Sequence, residues 1–244
     1  MKVRLDKAIV DRGLAESRER AKALVLEGKV MIAGVPATKA GAMVGPDAVI
    51  EMRGCDIPYV GRGGLKLEAA LEGFGIDPSG LVAMDVGAST GGFTDCLLQR
   101  SAARVYAVDV GYGQFDWKLR NDGRVVLMER TNIRNLERGR VPEPVDLAVI
   151  DVSFISLKLV VPKVMEFLRR PGGILVALVK PQFEAGRADV GKGGIVRDDS
   201  IRLRALEGVI ESVEALGLSV KGRMESPIKG QKGNIEYLIY AKEE

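Results

Sequence analysis

An apolar segment that runs into a glycine-rich turn occupies residues 81–93: Leu81-Val82-Ala83-Met84-Asp85-Val86-Gly87-Ala88-Ser89-Thr90-Gly91-Gly92-Phe93. Its apolar half predicts a buried strand over 81–86, and the residues after the turn predict a helix over 93–100. In open α/β sheets, ligands bind at the carboxyl ends of the strands, where glycine lets the backbone approach a ligand closely. This segment therefore predicts a ligand site on an α/β sheet.

The glycine spacing narrows the choice of ligand. The pattern is G-x-x-x-G-G, which differs from the G-x-G-x-x-G that seats a pyrophosphate and argues against an NAD-dependent dehydrogenase. Asp109 lies near the end of the second predicted strand, 104–110, where a carboxylate can accept hydrogen bonds from both hydroxyls of an adenosine ribose. The turn and Asp109 together indicate a nucleoside cofactor without a pyrophosphate, S-adenosyl-L-methionine.

Strands and helices alternate along the rest of this region. Further strands are predicted over 125–129, 145–152, 173–179, 218–224 and 235–241, and further helices over 65–74, 156–169 and 199–216. Continuous apolar strands separated by helices indicate a parallel sheet covered on both faces. The loop at 229–233 is too short for a crossover helix, so the last two strands should pair antiparallel. The predicted fold class is α/β, a Rossmann-like methyltransferase sheet that is mostly parallel, with its last strand antiparallel.

The N-terminal region has a different pattern and a basic charge. It predicts two short amphipathic helices, over 4–13 and 17–27 with Ser17 as N-cap, followed by strands over 29–32 and 48–52. Residues 1–46 contain nine Lys and Arg against five Asp and Glu, whereas the whole chain carries a net charge of only +3. We therefore expect a small α+β module that binds nucleic acid, with domains at 1–60, including a linker, and 61–244.

Composition excludes several classes of protein and of chemistry. The chain has no histidine, which rules out a Ser-His-Asp triad, a Cys-His pair and an HExxH zinc site. No apolar run is long enough to span a bilayer, and no signal peptide is expected at the start. The two cysteines, Cys55 and Cys96, are too few for a disulfide framework or a zinc site. We expect a soluble cytoplasmic protein without a metal site.

Four charged residues stand in apolar settings and form the candidate catalytic set. Asp151 lies near the end of the predicted strand 145–152, and Lys180 follows the predicted strand 173–179. Lys66 lies on the first helix of the second domain, and Glu236 lies inside the last strand. Charged side chains in such settings are rarely buried unless they are paired or functional. Two lysines interleaved with two carboxylates would form a compensated network, in which one lysine could act as a base.

These residues resemble the Lys-Asp-Lys-Glu tetrad of the FtsJ-like ribose 2′-O-methyltransferases, in order and in setting. The N-terminal module resembles an S4 RNA-binding domain, and an S4 domain followed by an FtsJ-like domain is the arrangement of the TlyA-type, or hemolysin A-like, rRNA methyltransferases. Three segments are similar to that family: V-G-R-G-G-L-K-L at 60–67, D-V-S-F-I-S at 151–156 and L-V-K-P-Q-F-E at 178–184. The resemblance implies 2′-O-methylation of cytidine in ribosomal RNA, with Lys180 as the general base.

The resemblance also implies which residues bind the ligands. Cofactor contacts are expected, by position, from Gly87, Ser89, Gly91, Phe93, Asp109, Asn132 and Asp151. The turn departs from the FtsJ type in having Ser89-Thr90 where Ala-Pro is usual, Phe93 where Trp is usual, and Asn132 where an acid often occurs. In the N-terminal module, contacts to RNA phosphates are expected from Arg4, Arg18, Arg20 and Lys39.

Two other functions remain as alternatives. A base-directed RNA methyltransferase would share the fold, although the segment after the fourth strand lacks the two prolines of amino-directed enzymes, and no cysteine lies there for attack on carbon 5 of cytosine. A membrane-active hemolysin is suggested by the second name of the family, but the chain has no spanning helix and no strongly amphipathic basic helix. The partner is expected to be ribosomal RNA and not a membrane. The modified nucleotide, the ribosomal subunit and the oligomeric state are left open.

Overall fold

The computed structural model describes residues 2–15, 17–46, 48–52 and 57–243. The chain divides into two compact units, Met1–Asp56 and Ile57–Glu244. Each unit has its own hydrophobic core among the described residues. Cys55 belongs to the residues outside the described ranges, whereas Cys96 is buried in the second unit.

The N-terminal unit packs two helices against short strands. Its elements are β1 (Val3–Arg4), α1 (Leu5–Asp11), α2 (Arg18–Leu26), β2 (Val30–Ile32), β3 (Val35–Pro36), β4 (Met43–Val44) and β5 (Ile50–Met52). The predicted Ser17 cap is present, because its hydroxyl accepts a hydrogen bond from the backbone N–H of Arg20. Strands β1, β3 and β4 were not predicted from the sequence, because strands of two residues are too short to show an alternating pattern.

The second unit is built on a seven-stranded sheet. Its strands are β6 (Val82–Val86), β7 (Arg104–Val108), β8 (Val125–Met128), β9 (Leu147–Ile150), β10 (Ile174–Val179), β11 (Leu218–Glu225) and β12 (Tyr237–Glu243). They are arranged in the order β11-β12-β10-β9-β6-β7-β8. Strand β12 pairs antiparallel with both of its neighbours, and the pairs from β10 to β8 are parallel. The predicted sheet, mostly parallel with its last strand antiparallel, is confirmed.

Helices cover both faces of this sheet. They are α3 (Gly63–Phe74), α4 (Gly92–Gln99), α5 (Trp117–Arg120), α6 (Leu157–Met165), α7 (Pro181–Glu184) and α8 (Asp199–Glu214). Residues of α3 and α4 pack on one face, and residues of α6 and α8 pack on the other. The single-turn helices α5 and α7 were not predicted, because four residues are too few to show helical periodicity.

The direction of β12 places one more chain segment at the edge where the ligand site was predicted. Strands β6, β7, β9 and β10 all end at this edge, because they are parallel. Since β12 runs the other way, it begins there, with Tyr237 opposite Val179. Glu236, just before β12, is thereby brought level with Lys180, just after β10. The order of the strands also reverses beside β6, which is where open α/β sheets bind ligands.

Candidate active site

Lys66 and Glu236 form a buried ion pair. Lys66 lies on α3, and its ammonium donates a hydrogen bond of 2.6 Å to Glu236 Oε2. The two side chains are only 10% and 2% exposed. The Gln182 side-chain amide donates a hydrogen bond of 3.5 Å to the other carboxylate oxygen of Glu236. Gly230 leaves room for this carboxylate, because a Cβ at position 230 would collide with it. Glu236 is therefore enclosed by protein and holds the Lys66 ammonium in one place.

Lys180 forms a second pair with Asp151. The ammonium nitrogen lies 2.6 Å from Asp151 Oδ1 and donates a hydrogen bond of 2.8 Å to Ser153 Oγ. These side chains follow β10 and β9, which are neighbouring parallel strands. The Asp151 side chain is 21% exposed, so this pair is more open than that of Lys66 and Glu236. The structure thus brings all four predicted residues to one edge of the sheet and divides them into two ion pairs.

The glycine-rich turn lies beside these pairs. Gly87 has φ +89°, and a Cβ there would lie 2.5 Å from the backbone oxygen of Asp151, so only glycine lets the turn approach β9 this closely. Asp109 holds the turn from the side of β7. Its two carboxylate oxygens accept hydrogen bonds from the backbone N–H groups of Ser89, at 2.7 Å, and Gly111, at 2.6 Å. Each oxygen keeps a second lone pair that a ribose hydroxyl could use.

Asp85, at the end of β6, is an acid that sequence analysis left without a role. It is fully buried, and one of its oxygens accepts a hydrogen bond of 2.7 Å from Thr94 Oγ1. Burial raises the pKa of Asp85 to about 7, and the negative charge of Asp151 contributes in the same direction. Its position inside an apolar strand, ahead of a glycine turn, was the available signal.

Two cavities open at this edge and share a wall. One has a volume of about 310 Å³ and is lined by all four of Lys66, Asp151, Lys180 and Glu236. The other has a volume of about 450 Å³ and lies over the ends of β6 and β7. Its lining includes Gly87, Ser89, Asp109, Asn132 and Asp151. Gly87, Ser89, Asp151 and Ser153 line both cavities. A group bound in one cavity would therefore lie next to a group bound in the other.

Two of the residues predicted to bind the cofactor lie outside the larger cavity. Phe93 is 4% exposed and borders the smaller cavity. Gly91 has φ +97°, and a Cβ there would collide with Leu119, so it shapes the turn from behind. Asn132 does line the larger cavity, where its side chain also accepts the backbone N–H of Arg134.

The structure adds residues at the cavities that sequence analysis did not single out. Arg62, Gln182 and Lys229 line the smaller cavity, and Ser153 lines both. Phe154 is 85% exposed and packs against Phe183, with 5.1 Å between the ring centroids. These residues lie in the three segments that resemble the family or close to Glu236, and that resemblance and the proximity to a candidate catalytic residue were the available signals.

The predicted RNA-binding residues lie on the N-terminal unit. Arg4 and Arg18 both contact the buried carboxylate of Asp6 at 3.0 Å, and their side chains remain about half exposed. The Arg4 guanidinium holds the pKa of Asp6 below its usual range. Arg20 contacts Glu27 at 3.6 Å, and Lys39 is exposed. The structure thus brings Arg4 and Arg18 together on one carboxylate.

The larger cavity fits the cofactor that the sequence predicted. Its lining includes the backbone of Gly87, which a ligand can approach closely, and the carboxylate of Asp109, which can accept hydrogen bonds from the two hydroxyls of a ribose. Apolar side chains, among them Val86, Val152 and Ile155, form the remaining wall and could cover an adenine ring. A sheet of this order, with such a cavity at its switch point, has the fold of the S-adenosyl-L-methionine-dependent methyltransferases.

Comparison with known proteins identifies the family. The chain belongs to the FtsJ-like methyltransferases: the sequence model of that family matches residues 59–243, and the model of the S4 domain matches residues 3–50. The relatives include the 16S/23S rRNA (cytidine-2′-O)-methyltransferase TlyA of Mycobacterium tuberculosis, which is 46% identical over 99% of this chain and 90% of its own length. Hemolysin A of Brachyspira hyodysenteriae is 43% identical over 98% of this chain and 99% of its own.

Solved structures agree with this assignment. A hemolysin candidate from Streptococcus thermophilus is 46% identical, with a TM-score of 0.78 over 99% of this chain and 88% of its own. The N-methyltransferase NodS of Bradyrhizobium japonicum, solved with S-adenosyl-L-homocysteine, is 18% identical and shares the fold alone. Its TM-score is 0.52, over 75% of this chain and 85% of its own. Within the described part of the chain, no helix has the length and hydropathy that crossing a bilayer would need.

Proposed function

We propose that this protein transfers the methyl group of S-adenosyl-L-methionine to the 2′-hydroxyl of a cytidine in ribosomal RNA. The observation that carries the proposal is the wall shared by the two cavities: it contains Asp151 and Ser153, and both of these residues contact Lys180, which lines the smaller cavity. The relatives that match over nearly the whole chain include an rRNA (cytidine-2′-O)-methyltransferase. The S4 domain supports an RNA substrate.

A ribose hydroxyl needs help to react, because it is a very weak acid and a poor nucleophile while it keeps its proton. When bound, the cofactor supplies an electrophilic methyl group on a sulfonium. In the proposed reaction the ribose oxygen would form the new bond to the methyl carbon, the electrons of the carbon–sulfur bond would stay on the departing sulfur, and the ribose proton would pass to Lys180 Nζ in its neutral amine form. Proton transfer to a positioned side chain is typically worth a factor of 10² to 10⁴ in rate.

The two ion pairs support different roles for the two lysines. The Lys66 ammonium is hydrogen-bonded at 2.6 Å to a carboxylate that is 2% exposed, and a charge-assisted hydrogen bond of this kind is short, strong and fixed in geometry. Lys180 contacts the more exposed Asp151 and a neutral hydroxyl, that of Ser153. We therefore propose Lys66 as a fixed cation held by Glu236, and Lys180 as the base, oriented by Asp151.

Basic residues of the S4 domain would supply affinity for the RNA. Arg4 and Arg18 present half-exposed guanidinium groups, Lys39 is exposed, and Arg20 lies on the same unit. Such groups bind phosphates without reading sequence, and they displace counterions when they do so. A ribosomal RNA substrate would place the protein in the cytoplasm.

The proposal is tested by incubating the purified protein with unmodified 16S and 23S rRNA, as free RNA and as ribosomal subunits, together with labelled cofactor. Nucleoside analysis by mass spectrometry should find 2′-O-methylcytidine. Methyl groups on the base would instead indicate a base-directed enzyme. Release of dye from phospholipid vesicles, without methyl transfer to any of these RNAs, would favour the membrane-active alternative that the hemolysin names suggest.

A further inference from the structure

The Lys180 nitrogen is held by two contacts of different character. Its contact with Asp151 is an ion pair at 2.6 Å, and its contact with Ser153 is a hydrogen bond at 2.8 Å. Coulombic attraction depends on distance and has little directional preference, whereas a hydrogen bond weakens steeply away from linear geometry. Among the described residues, Ser153 is therefore the partner that gives the Lys180 nitrogen a direction.

The chain holds Ser153 in place through its neighbour. Phe154 has φ +64°, a left-handed conformation that costs a bulky residue free energy and persists only where the surroundings enforce it. Its ring packs on Phe183, which lies in α7, the helix that directly follows Lys180. This ring contact joins the segment that carries Ser153 to the segment that carries Lys180, close to where the two cavities share a wall.

We propose that Ser153 is a positioning residue for the base, an inference that rests on the function proposed above. A carboxylate attracts an ammonium much more strongly than a neutral amine. A hydroxyl oxygen accepts a hydrogen bond from an ammonium and from a neutral amine alike. Ser153 therefore holds the Lys180 nitrogen in place when Lys180 is a neutral amine. In that form the nitrogen has a lone pair that can accept the proton of the substrate hydroxyl. The proton of the ribose then passes to this lone pair as the methyl group arrives.

The test compares Ser153→Ala and Ser153→Thr with the wild-type protein in single-turnover assays, with cofactor and rRNA both saturating. Loss of a neutral hydrogen bond should slow methyl transfer about tenfold in Ser153→Ala. Ser153→Thr keeps the hydroxyl and should restore most of the rate. The affinities for cofactor and RNA should stay within about twofold in both variants. The control is Ser79→Ala, an exposed serine ahead of β6, at the opposite edge of the sheet.

A double-mutant cycle separates positioning from other roles. If Ser153 acts through Lys180, adding Ser153→Ala to a Lys180→Ala protein should change the residual rate by less than about twofold. A further tenfold loss in that background, or a Ser153→Ala protein as fast as wild type, would overturn the inference while leaving the proposed function intact. A wild-type protein that forms no 2′-O-methylcytidine would overturn both.

Discussion

Lys180 is the residue on which the proposed chemistry depends. Lys180→Ala should reduce the rate of methyl transfer by a factor of roughly 10² to 10⁴, with little change in the affinities for cofactor and RNA. Lys180→Arg should be no better, because a guanidinium stays charged and cannot accept the proton. Single-turnover assays with isothermal titration of the cofactor give both quantities. An active arginine variant would mean that the site needs a positive charge and not a base.

Asp85 makes stability depend on pH. Burial raises its pKa to about 7, whereas an aspartate in the unfolded chain has a pKa of about 3.9. Between these values the folded protein keeps a proton that the unfolded chain has lost. The contribution of Asp85 to the free energy of unfolding is therefore fully present below pH 4, falls as the pH rises towards 7, and stays low above it.

Asp85→Asn should remove this pH dependence, because an amide is neutral at every pH, as protonated Asp85 is, and can still accept the Thr94 hydrogen bond. The variant should be more stable than wild type at pH 8, by on the order of 1–4 kcal/mol, and the two should converge near pH 4. Urea unfolding at pH 4.5, 6 and 8 measures the difference. The control is Asp77→Asn, an exposed acid at the opposite edge of the sheet. A constant difference between wild type and Asp85→Asn at all three pH values would contradict the assignment.

Individual residues of the site were predictable where strand ends carry them. Asp109, Asp151 and Lys180 each follow a parallel strand, and parallel strands end at one edge, so their proximity follows from the local pattern. The contact between Lys66 and Glu236 could not be predicted in this way, because 170 residues separate them. Ser153 was equally hidden, because nothing in its neighbourhood indicates which side chain its hydroxyl meets.

Among the elements, the position of β12 in the sheet could be predicted only in part from the sequence. A short loop predicted that β11 and β12 pair antiparallel, and they do. That loop does not say which of the two strands lies beside β10, because this depends on pairing between distant segments. In the structure β12 lies between β10 and β11, and this position brings Glu236 to the edge of the sheet where Lys180 lies. Helices α3, α4, α6 and α8 were predicted from their apolar periodicity, with bounds that differ by a few residues.

The turn between β6 and α4 can be tested as an element through Gly87. Gly87→Ala combines a left-handed backbone with a Cβ only 2.5 Å from the Asp151 oxygen, so the turn must move away from β9. We expect a loss of stability of at least about 2 kcal/mol and weaker cofactor binding. Gly80→Ala is the matched control: φ is +72°, but no atom lies within 4 Å of its Cβ. Equal losses in the two variants would show that the approach of the turn to Asp151 is unimportant.

At the scale of the whole molecule, each unit has a core of its own, so the catalytic unit should fold alone. The truncation should start at Ile57, because Tyr59 is buried against Gly64 and the backbone N–H of Val60 donates to Asp95. Residues 57–244 should bind the cofactor as tightly as the full chain does. Their affinity for rRNA should fall, and the slope of log affinity against log salt should become shallower by about three for four lost phosphate contacts.

Calorimetry with the cofactor and filter binding of rRNA at several salt concentrations measure these quantities. The cofactor affinity is the internal control, since it reports whether the truncated unit has folded. An unchanged rRNA affinity and salt slope in a truncated protein that binds the cofactor normally would mean that the S4 domain does not supply RNA affinity.

The two hydrogen bonds that Asp109 accepts from Ser89 and Gly111 also bear on how fast the cofactor binds. The turn is already held by the carboxylate of Asp109, so we expect that this turn does not have to become ordered when the ligand binds. Hydrogen–deuterium exchange should find the amides of Ser89 and Gly111 protected without cofactor and little changed when it is added. The association rate should then depend linearly on cofactor concentration, without the plateau that a slow closing step would impose.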